Sequence, residues 1–221
     1  MSALKINVKE NILGANSKQA ELNRALLDRF GVRMINVMSS SGAGKTSLIL
    51  RTVDRLKGQY GIAVIEGDVA CSIDAGKYTA QNVTAIQINT AGGCHLDAPM
   101  VRKALDTLDL GPIDLIFIEN VGNLVCTADF DLGAHKDVVI LSVPEGDDKP
   151  RKYPVMFCEA DAVLVSKIDV VPYFDFKLDA FPGIINGLNP SARVFPVSAK
   201  TGEGLDGWFA WLEESLAAKG T

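Results

Sequence analysis

Residues 34–50 read MINVMSSSGAGKTSLIL, and the order of residue types in this stretch predicts a strand, a phosphate loop and a helix. The apolar residues from Met34 to Met38 are typical of a buried strand, and Leu48 to Leu50 resume at a spacing that suits a helix. Between them lies a run of small residues that allows a tight turn. A plain Gly/Ser connector is the alternative interpretation, but the flanking elements are those that phosphate binding requires.

The small-residue loop can curl so that consecutive backbone N–H groups surround a phosphate at the N-terminus of the following helix. Lys45 is predicted to reach the β- and γ-phosphates, and the Thr46 hydroxyl is predicted to bind Mg²⁺. The usual G-x-x-x-x-G-K-[ST] pattern is broken at one position, because Ser39 stands where the first Gly belongs. The residues predicted to contact the phosphates are Ser40, Ser41, Gly42, Ala43, Gly44, Lys45, Thr46 and Ser47.

The composition is that of an ordinary α/β protein without a nucleic-acid-binding surface. The chain has 221 residues, of which 48% are hydrophobic, and its net charge of −5 leaves no basic footprint. No apolar run approaches the roughly 20 residues that span a bilayer, and residues 1–10 lack an apolar signal core. The four cysteines are too sparse for a disulfide framework. We therefore expect a cytoplasmic protein that binds neither membranes nor nucleic acids.

The remaining chain alternates between strand and helix patterns and predicts a doubly wound α/β fold. Apolar runs without alternating polar residues are typical of strands in a buried parallel sheet. We expect about seven mostly parallel strands with helices on both faces and ligands at the C-terminal ends of the strands, the architecture of a P-loop NTPase. Besides the central strand and the helix 45–56, the predicted strands are 61–68, 84–88, 113–119, 138–143, 162–165 and 193–197, and the predicted helices are 72–81, 97–108, 153–160, 177–186 and 205–217.

The chain divides into an N-terminal extension with a helix, residues 1–31, and a nucleotide-binding domain, residues 32–221. The first 16 residues are predicted to be extended or loosely held, with Ile6 and Val8 as candidates for a short edge strand. Ser17 is then predicted to cap a helix that Gly31 ends.

Two motifs that follow later strands indicate recognition of guanine. Ser166-Lys167-Ile168-Asp169 resembles the N-K-x-D motif of GTPases, in which the carboxylate accepts hydrogen bonds from guanine N1–H and the exocyclic amino group. Lys167 would cover the purine face, whereas Ser166 replaces the Asn of the motif, so its bonds to the base and to the phosphate loop are in question. The downstream Ser198-Ala199-Lys200 resembles the S-A-K motif, where a backbone N–H meets guanine O6. Each motif alone would be an exposed loop, but their order behind a phosphate loop favours the guanine interpretation.

The segment Glu119-Asn-Val-Gly122 occupies the position of the D-x-x-G motif of GTPases. Gly122 is predicted to offer its backbone N–H to the γ-phosphate and to release it after hydrolysis. Asp68, which ends an earlier strand, is the candidate for Mg²⁺ coordination or water orientation. No Gln stands where a Ras-like enzyme holds its attacking water, so slow hydrolysis is expected. The alternative is that Asp68 and Glu119 are merely carboxylates exposed at strand ends.

Adjacent Cys94 and His95 on a glycine-rich loop are candidates for a metal site, because thiolate and imidazole suit Zn²⁺ or Ni²⁺. Cys126, four residues after Gly122, is a third candidate. Three protein ligands leave a tetrahedral site incomplete, and a second copy of the chain could complete it around a two-fold axis. Free cysteines are also often small buried hydrophobes. Cys71 and Cys158 are interpreted as structural, and His135 is given no role.

Together these motifs resemble the HypB family, the nickel-insertion GTPases of hydrogenase maturation, which are related to the urease-maturation GTPase UreG. The phosphate loop, EGD at 66–68, AGGCHLD at 91–97, ENVGNLVC at 119–126, VPEGDDKP at 143–150, SKID at 166–169 and SAK at 198–200 follow the family order. The resemblance implies a GTP-promoted homodimer that delivers nickel to the hydrogenase large-subunit precursor with a partner nickel metallochaperone. It also implies a Ni²⁺ or Zn²⁺ site of Cys94, His95 and Cys126 near the dimer interface, with Lys149 contacting the partner chain.

Three other functions are weighed against this resemblance. A small-molecule kinase would share the phosphate loop but would not need both guanine motifs. A metal-binding scaffold with a vestigial nucleotide site conflicts with the intact Lys45, Thr46 and Asp169. Urease maturation is separated from hydrogenase maturation only by the family resemblance. No cysteine-rich or histidine-rich nickel motif is found near residue 1, so a nickel-storage function is not expected.

Overall fold

The computed structural model describes residues 8–68 and 73–217, without the side chains of residues 8–12, 68 and 73–75. Seven parallel strands form one sheet in the order β3-β2-β4-β1-β5-β6-β7. This confirms the predicted doubly wound fold. The strands are β1 Arg33–Ser39, β2 Ile62–Asp68, β3 Thr84–Asn89, β4 Leu115–Glu119, β5 Lys136–Ser142, β6 Ala162–Ser166 and β7 Arg193–Val197.

Helices cover both faces of the sheet. Helices α2 and α8 pack on the face that carries Ile35 and Val37, whereas α1, α4, α6 and α7 cover the face that carries Met34 and Met38. The helices are α1 Val8–Phe30, α2 Lys45–Leu56, α3 Ile73–Thr79, α4 Ala98–Leu105, α5 Lys149–Lys152, α6 Pro154–Cys158, α7 Phe181–Leu188 and α8 Leu205–Ala217. Short 3-10 segments lie at Cys126–Asp129, Val143–Glu145 and Ile168–Tyr173.

The strand order reverses at β1, and this places the phosphate loop at the crevice of the fold. From β1 the chain crosses to β2 and β3, returns to β4 beside β1, and continues to β5 on the other side. In parallel α/β sheets, ligands bind outside the carboxyl ends of the strands at such a reversal. Residues 40–44, which join β1 to α2, lie at this point.

The N-terminal helix differs from its prediction. Residues 8–16 are helical, so the extended conformation predicted for them and the edge strand predicted at Val8 are wrong, while Ile6 and the rest of residues 1–7 lie outside the described residues. Ser17 is inside α1, where its hydroxyl donates to Leu13 O at 3.0 Å instead of capping the helix. Gly31 ends the helix with a left-handed φ of 68°, as predicted.

Two asparagines attach α1 to the domain, a tertiary effect that the local pattern could not indicate. Asn16 donates to Asp131 O and accepts from Ala98 N, each at 2.8 Å. Asn23, fully buried, donates to Ala98 O at 2.9 Å and to Leu132 O at 3.1 Å. Of the apolar residues at helical spacing, Ala20 and Leu27 are fully buried, whereas Leu22 and Phe30 are each 51% exposed.

The other helices differ from prediction mainly at their ends. Helix α8 spans the predicted residues and buries Trp208, Leu212 and Leu216, as its spacing indicated. Asp97 caps α4 by accepting from Met100 N at 2.7 Å. The short helix predicted over 153–160 is present as α6, which spans only Pro154–Cys158 and follows the separate turn α5, and α7 begins at Phe181 rather than at residue 177. Across the described residues, no helix is long and apolar enough to cross a membrane.

Candidate nucleotide and metal site

The phosphate loop takes its shape from two glycines and tolerates Ser39. Gly42 and Gly44 have left-handed φ angles of 76° and 106°, whereas Ser39 does not adopt this region. Ser39 is fully buried, and its hydroxyl accepts from Lys45 Nζ at 2.9 Å and donates to Ser40 O at 2.6 Å. The departure from the usual motif therefore supplies a hydrogen-bond partner for the lysine instead of straining the turn.

A cavity of about 360 Å³ opens above this loop at the carboxyl ends of the strands. Its rim contains the predicted Lys45, Thr46, Glu119 and Gly122. Glu66 and Lys77 also line it, and sequence reasoning did not assign them. Glu66 is paired with Glu119 in the register of β2 and β4. The sequence does not show that these two strands are neighbours, so it could not place Glu66 at the site. The complete lining is Ser41, Gly42, Gly44, Lys45, Thr46, Ser47, Glu66, Gly67, Lys77, Glu119, Asn120 and Gly122.

Glu119 connects β4 to the phosphate loop. Its Oε1 accepts from the Thr46 hydroxyl at 2.6 Å, and its Oε2 accepts from the buried Tyr78 hydroxyl. Glu119 is 6% exposed, so it is not a solvent-exposed carboxylate at a strand end. Hydroxyl and carboxylate oxygens are the ligands that Mg²⁺ prefers, and this pair fits such an ion. The backbone of Asp68 ends β2 at the same edge of the sheet, but its side chain is outside the described part of the chain.

Gly122 packs directly against the phosphate loop. A Cβ atom at this position would lie 2.8 Å from both the N and the Cα atoms of Ser41. Such an approach is closer than real Cβ contacts allow, so the glycine is required by the neighbouring backbone. The loop after β4 and the loop after β1 are thereby held in contact. A role of Gly122 at the γ-phosphate stays a prediction.

The VPEGDDKP segment also contacts the phosphate loop, a feature that the sequence motif did not reveal. Glu145 Oε1 accepts from the Ser40 hydroxyl, and Oε2 accepts from Ser142 N at 2.8 Å and Ser142 Oγ at 2.6 Å. Lys149 Nζ donates to Glu145 O at 2.5 Å and to Asp148 Oδ1 at 2.9 Å. Within one chain, Lys149 therefore stabilises this turn, and its contact with a second chain stays a prediction.

A second cavity, also of about 360 Å³, lies on the other side of the phosphate loop and contains the predicted guanine-binding residues. Ser166 Oγ donates to Ala43 O at 2.7 Å, so the shorter side chain does bond to the phosphate loop, one of the two bonds that were in question. Its bond to the base stays untested. Lys167 donates to Gly42 O at 2.7 Å, and Asp169 Oδ1 accepts from the Ser198 hydroxyl at 2.7 Å. Ala199 and Lys200 also line this cavity, whereas the predicted Ser198 is fully buried and is not part of the wall.

Arg51 of α2 supports the Ser198–Lys200 loop and was not predicted as part of the site. Its Nε donates to Ala199 O at 2.8 Å, and its terminal nitrogen donates to Lys200 O at 3.2 Å. The residue lies 148 positions from Ala199, so no local pattern could indicate the contact.

The three predicted metal ligands lie on two neighbouring loops. Cys94 Sγ is 3.6 Å from His95 Nδ1, and the His95 ring stacks on Phe130 at a centroid distance of 3.9 Å. A hydrogen bond with the Cys94 thiol raises the pKa of the Cys126 thiol, and desolvation adds to this effect. Among the side chains that the structure describes, no three His, Cys, Asp or Glu residues already form a group able to hold a metal ion.

Asn123 shapes the loop that presents Cys126. Its Oδ1 accepts from Val125 N at 2.7 Å and from Cys126 N at 3.0 Å, and its backbone carbonyl accepts from the Thr127 hydroxyl at 2.7 Å. These bonds bring Cys126 to the end of a compact turn that begins at Gly122. The loop that touches the phosphate loop and the loop that carries the candidate thiol are therefore one segment.

Cys158 and His135 lie outside this site. Cys158 is exposed at the end of α6, which does not fit its interpretation as a structural residue, while Cys71 lies outside the described residues. His135 has a structural role that the sequence did not indicate. Its Nδ1 accepts from Met34 N at 3.0 Å, and its Nε2 lies 3.2 Å from Asp28 Oδ1.

Comparisons with known proteins agree with these motifs. Residues 33–196 match the CobW/HypB/UreG nucleotide-binding domain. The chain is 48% identical over 214 residues to the hydrogenase maturation factor HypB of Azotobacter vinelandii, an alignment that covers 97% of this chain and 71% of the relative. Its fold is similar to the crystal structure of HypB from Helicobacter pylori in complex with nickel, with a TM-score of 0.87, 38% identity, and 92% and 95% of the two chains covered. HypB from Archaeoglobus fulgidus gives the same TM-score at 36% identity, covering 92% of this chain and all of that one.

Proposed function

Because the chain belongs to the CobW/HypB/UreG family, and within it to the HypB hydrogenase maturation factors, we propose that it is a GTP-hydrolysing switch that handles nickel for [NiFe]-hydrogenase. The HypB of Helicobacter pylori, which this chain resembles in fold, is described in complex with nickel. In this proposal nickel is the cargo, and GTP binding and hydrolysis control when it is held and released.

The base of the nucleotide occupies the cavity beside Asp169. The Asp169 carboxylate accepts from guanine N1–H and from the exocyclic amino group, neither of which adenine offers. The Ser198 hydroxyl that bonds to Asp169 at 2.7 Å keeps this carboxylate in place. Lys167, which already reaches over Gly42, covers the purine face. The backbone N–H of Ala199 meets guanine O6.

The phosphates occupy the other cavity, where the backbone N–H groups of residues 40–47 and Lys45 balance their charge. Mg²⁺ held by Thr46, with Asp68 or Glu119 close by, supplies charge neutralisation when it is bound. Glu119 positions the Thr46 hydroxyl, and Gly122 offers its N–H to the γ-phosphate from its position against Ser41. Hydrolysis removes this last contact and releases the Gly122 loop.

Cys94, His95 and Cys126 bind Ni²⁺ or Zn²⁺, and a second copy of the chain completes the tetrahedral set near a two-fold axis. A homodimer promoted by GTP therefore couples the nucleotide to the metal. The partners are a nickel metallochaperone and the hydrogenase large-subunit precursor, and the proposed location is the cytoplasm.

The observation that carries the proposal is the continuity of one segment from Gly122, which lies against Ser41, to Cys126. A segment that touches the phosphate loop at one end and presents a metal ligand at the other can respond to the γ-phosphate. The matching experiment is a titration of Ni²⁺ and of Zn²⁺ into the chain loaded with GDP or with a non-hydrolysable GTP analogue. We expect different affinities in the two states, and equal affinities would contradict the proposal.

Matched variants identify the ligands. Cys126→Ser is expected to weaken metal binding, whereas Cys158→Ser, which changes an exposed cysteine away from the site, is expected to leave it unchanged. The same preparation also tests the nucleotide, since a switch releases GDP and inorganic phosphate and prefers GTP to ATP. Capture of the hydrogenase precursor rather than a urease subunit distinguishes the two maturation pathways.

A further inference from the structure

A chain of hydrogen-bonded side chains runs through the core behind the Glu119–Gly122 loop. Asn120 Nδ2 donates to Asn36 Oδ1 at 3.1 Å, and Asn36 Nδ2 donates to Asp137 Oδ1 at 2.8 Å. Asn120 and Asn36 are 1% and 2% exposed, respectively. Buried amides are costly to leave without partners, so these bonds fix the orientation of each side chain. We call the three residues the core amide chain.

At its near end the core amide chain holds the backbone that leads to the phosphates. Asn120 Oδ1 accepts from Val121 N at 2.9 Å, and Asn120 N donates to Val37 O at 3.1 Å. The residue thus stands between Glu119, which bonds to Thr46, and the closely packed Gly122. A rotation of the Asn120 side chain would release the turn at the point where β4 becomes the loop.

At its far end the core amide chain reaches a cavity of about 250 Å³ behind the candidate metal loops. Asn36 and Asp137 form part of the wall, together with Thr127 and Phe130 of the segment that follows Cys126. Phe130 is the residue on which His95 stacks. The core amide chain therefore begins at Asn120, close to Gly122, and ends at a cavity wall that includes Phe130. Cys126 lies on the segment between Gly122 and Phe130.

We propose that Asn36 and Asp137 are positioning residues that fix the orientation of the Asn120 side chain. The hydrogen bonds among these three residues then transmit the state of the nucleotide to the metal ligand Cys126. The inference rests on the proposed function and names the residues by which its two sites communicate. Neither residue lines either of the two cavities beside the phosphate loop, and neither is a predicted metal ligand. A displacement of Gly122 by the γ-phosphate moves Asn120. The buried hydrogen bond from Asn120 to Asn36 passes this displacement to the wall of the cavity behind the candidate metal loops.

The chain offers substitutions that separate this role from simple folding. In Asn36→Asp the side chain still accepts from Asn120, but it cannot donate to Asp137 once both carboxyl groups are ionised, so this variant is compared at a pH high enough to ionise the pair. The double exchange Asn36→Asp with Asp137→Asn restores both bonds with the donor and acceptor reversed between positions 36 and 137. Asn120→Asp is a second interruption, because it keeps the acceptor for Val121 N and removes the donor to Asn36.

The experiment measures the ratio of Zn²⁺ affinities in the GTP-analogue and GDP states for the wild type and these variants, with hydrogen exchange over residues 119–130 as a second readout. Coupling between two sites typically changes affinity by about 5- to 150-fold, and we expect Asn36→Asp and Asn120→Asp to reduce the wild-type ratio at least about fivefold toward one. The double exchange should recover the ratio and the nucleotide-dependent exchange pattern.

The ratio of Zn²⁺ affinities in the wild type tests the proposed function, and the ratios in the variants test the role of the core amide chain. Equal Zn²⁺ affinities in the two nucleotide states of the wild type would overturn both. A wild-type ratio that persists in Asn36→Asp or in Asn120→Asp would overturn the inference alone. A double exchange that matches the wild type in thermal midpoint but not in ratio would also overturn it. Should Asn36→Asp fail to fold, Asn120→Asp and the double exchange provide the same comparison.

Discussion

The Thr46 hydroxyl lies 2.6 Å from Glu119 Oε1, and this contact joins the first turn of α2 to the end of β4 across 73 positions of sequence. The adjacent pairing of β1 and β4 makes it possible. Because Glu119 begins the loop that contains Gly122 and Cys126, the same hydrogen bond links the predicted phosphate site to the predicted metal site.

Replacing Glu119 by Gln is expected to reduce the rate of GTP hydrolysis by about 100-fold, because an amide removes the negative charge beside Thr46 that favours Mg²⁺. The rate is measured by release of inorganic phosphate under saturating GTP. Glu214→Gln, an exposed position on α8, is the matched control and is expected to retain the wild-type rate. An unchanged hydrolysis rate in Glu119→Gln would contradict a catalytic role for Glu119.

Gly122→Ala is expected to slow hydrolysis by at least about tenfold, because the new Cβ atom overlaps the Ser41 backbone and overpacking of this kind costs roughly 1–3 kcal/mol. Single-turnover hydrolysis is the measurement. In Gly183→Ala the added methyl group meets no atom within 4 Å, so this variant serves as the control. Equal effects of the two substitutions on the hydrolysis rate would show that the close contact between Gly122 and Ser41 does not affect hydrolysis.

Asp169→Asn is expected to weaken GTP binding at least about tenfold while strengthening binding of xanthosine triphosphate. The reason is that an amide can donate to the C2 carbonyl of xanthine, whereas it no longer offers two acceptors to guanine. Competition with a fluorescent GDP measures both affinities, and Asp175→Asn at an exposed site is the control. An unchanged order of affinities would place guanine recognition elsewhere.

Protonation of His135 is expected to destabilise the fold. Burial lowers the pKa of His135 from 6.5, while the hydrogen bond with Asp28 opposes this shift. Neutral His135 therefore contributes stability that is fully present above pH 6.5 and decreases as the pH falls, because the unfolded chain binds the proton more readily. Urea unfolding between pH 5 and pH 8 should show a shallower pH dependence in His135→Asn than in the wild type.

His95→Asn is the matched control for this pH series, since it changes the other of the two histidines. It is expected to keep the wild-type pH dependence of the free energy of unfolding. If His135→Asn and the wild type lose stability in parallel as the pH falls, the bond from Met34 N to His135 Nδ1 does not contribute in the expected way.

Asp137 is expected to oppose folding at neutral pH. Burial raises its pKa to about 6 from 3.8, although the hydrogen bond from Asn36 acts in the opposite direction. The stability of the folded chain is therefore highest, with respect to this group, below pH 3.8 and is lost as the pH rises through 6. Asp137→Asn, which keeps the acceptor for Asn36, should raise the free energy of unfolding at pH 8 by about 3 kcal/mol.

This gain should diminish as the pH is lowered toward 4, and urea unfolding at several pH values measures it. Asp175→Asn, at an exposed site, is expected to show no comparable gain. A constant difference between Asp137→Asn and the wild type at every pH would mean that ionisation of Asp137 is not the cause.

Local residue patterns were sufficient for the architecture and for most of the candidate site. The loop from Ser40 to Ser47, the seven strands and the placement of the SKID segment after a strand could be predicted, because each depends on residues close together in the chain. Guanine recognition by Asp169 stays a prediction. Strand periodicity and loop composition are local properties, so they can be recognised before the fold is known.

Contacts between distant residues were decided only by the tertiary structure. The bond from Ser40 to Glu145 spans 105 positions, and the bond from Asn36 to Asp137 spans 101. Both depend on the strand order that places β5 beside β1, which no local pattern specifies. The suitability of Ser39, the early start of α1 and the role of His135 have the same origin, because packing partners determine which conformation and which hydrogen bonds a residue adopts.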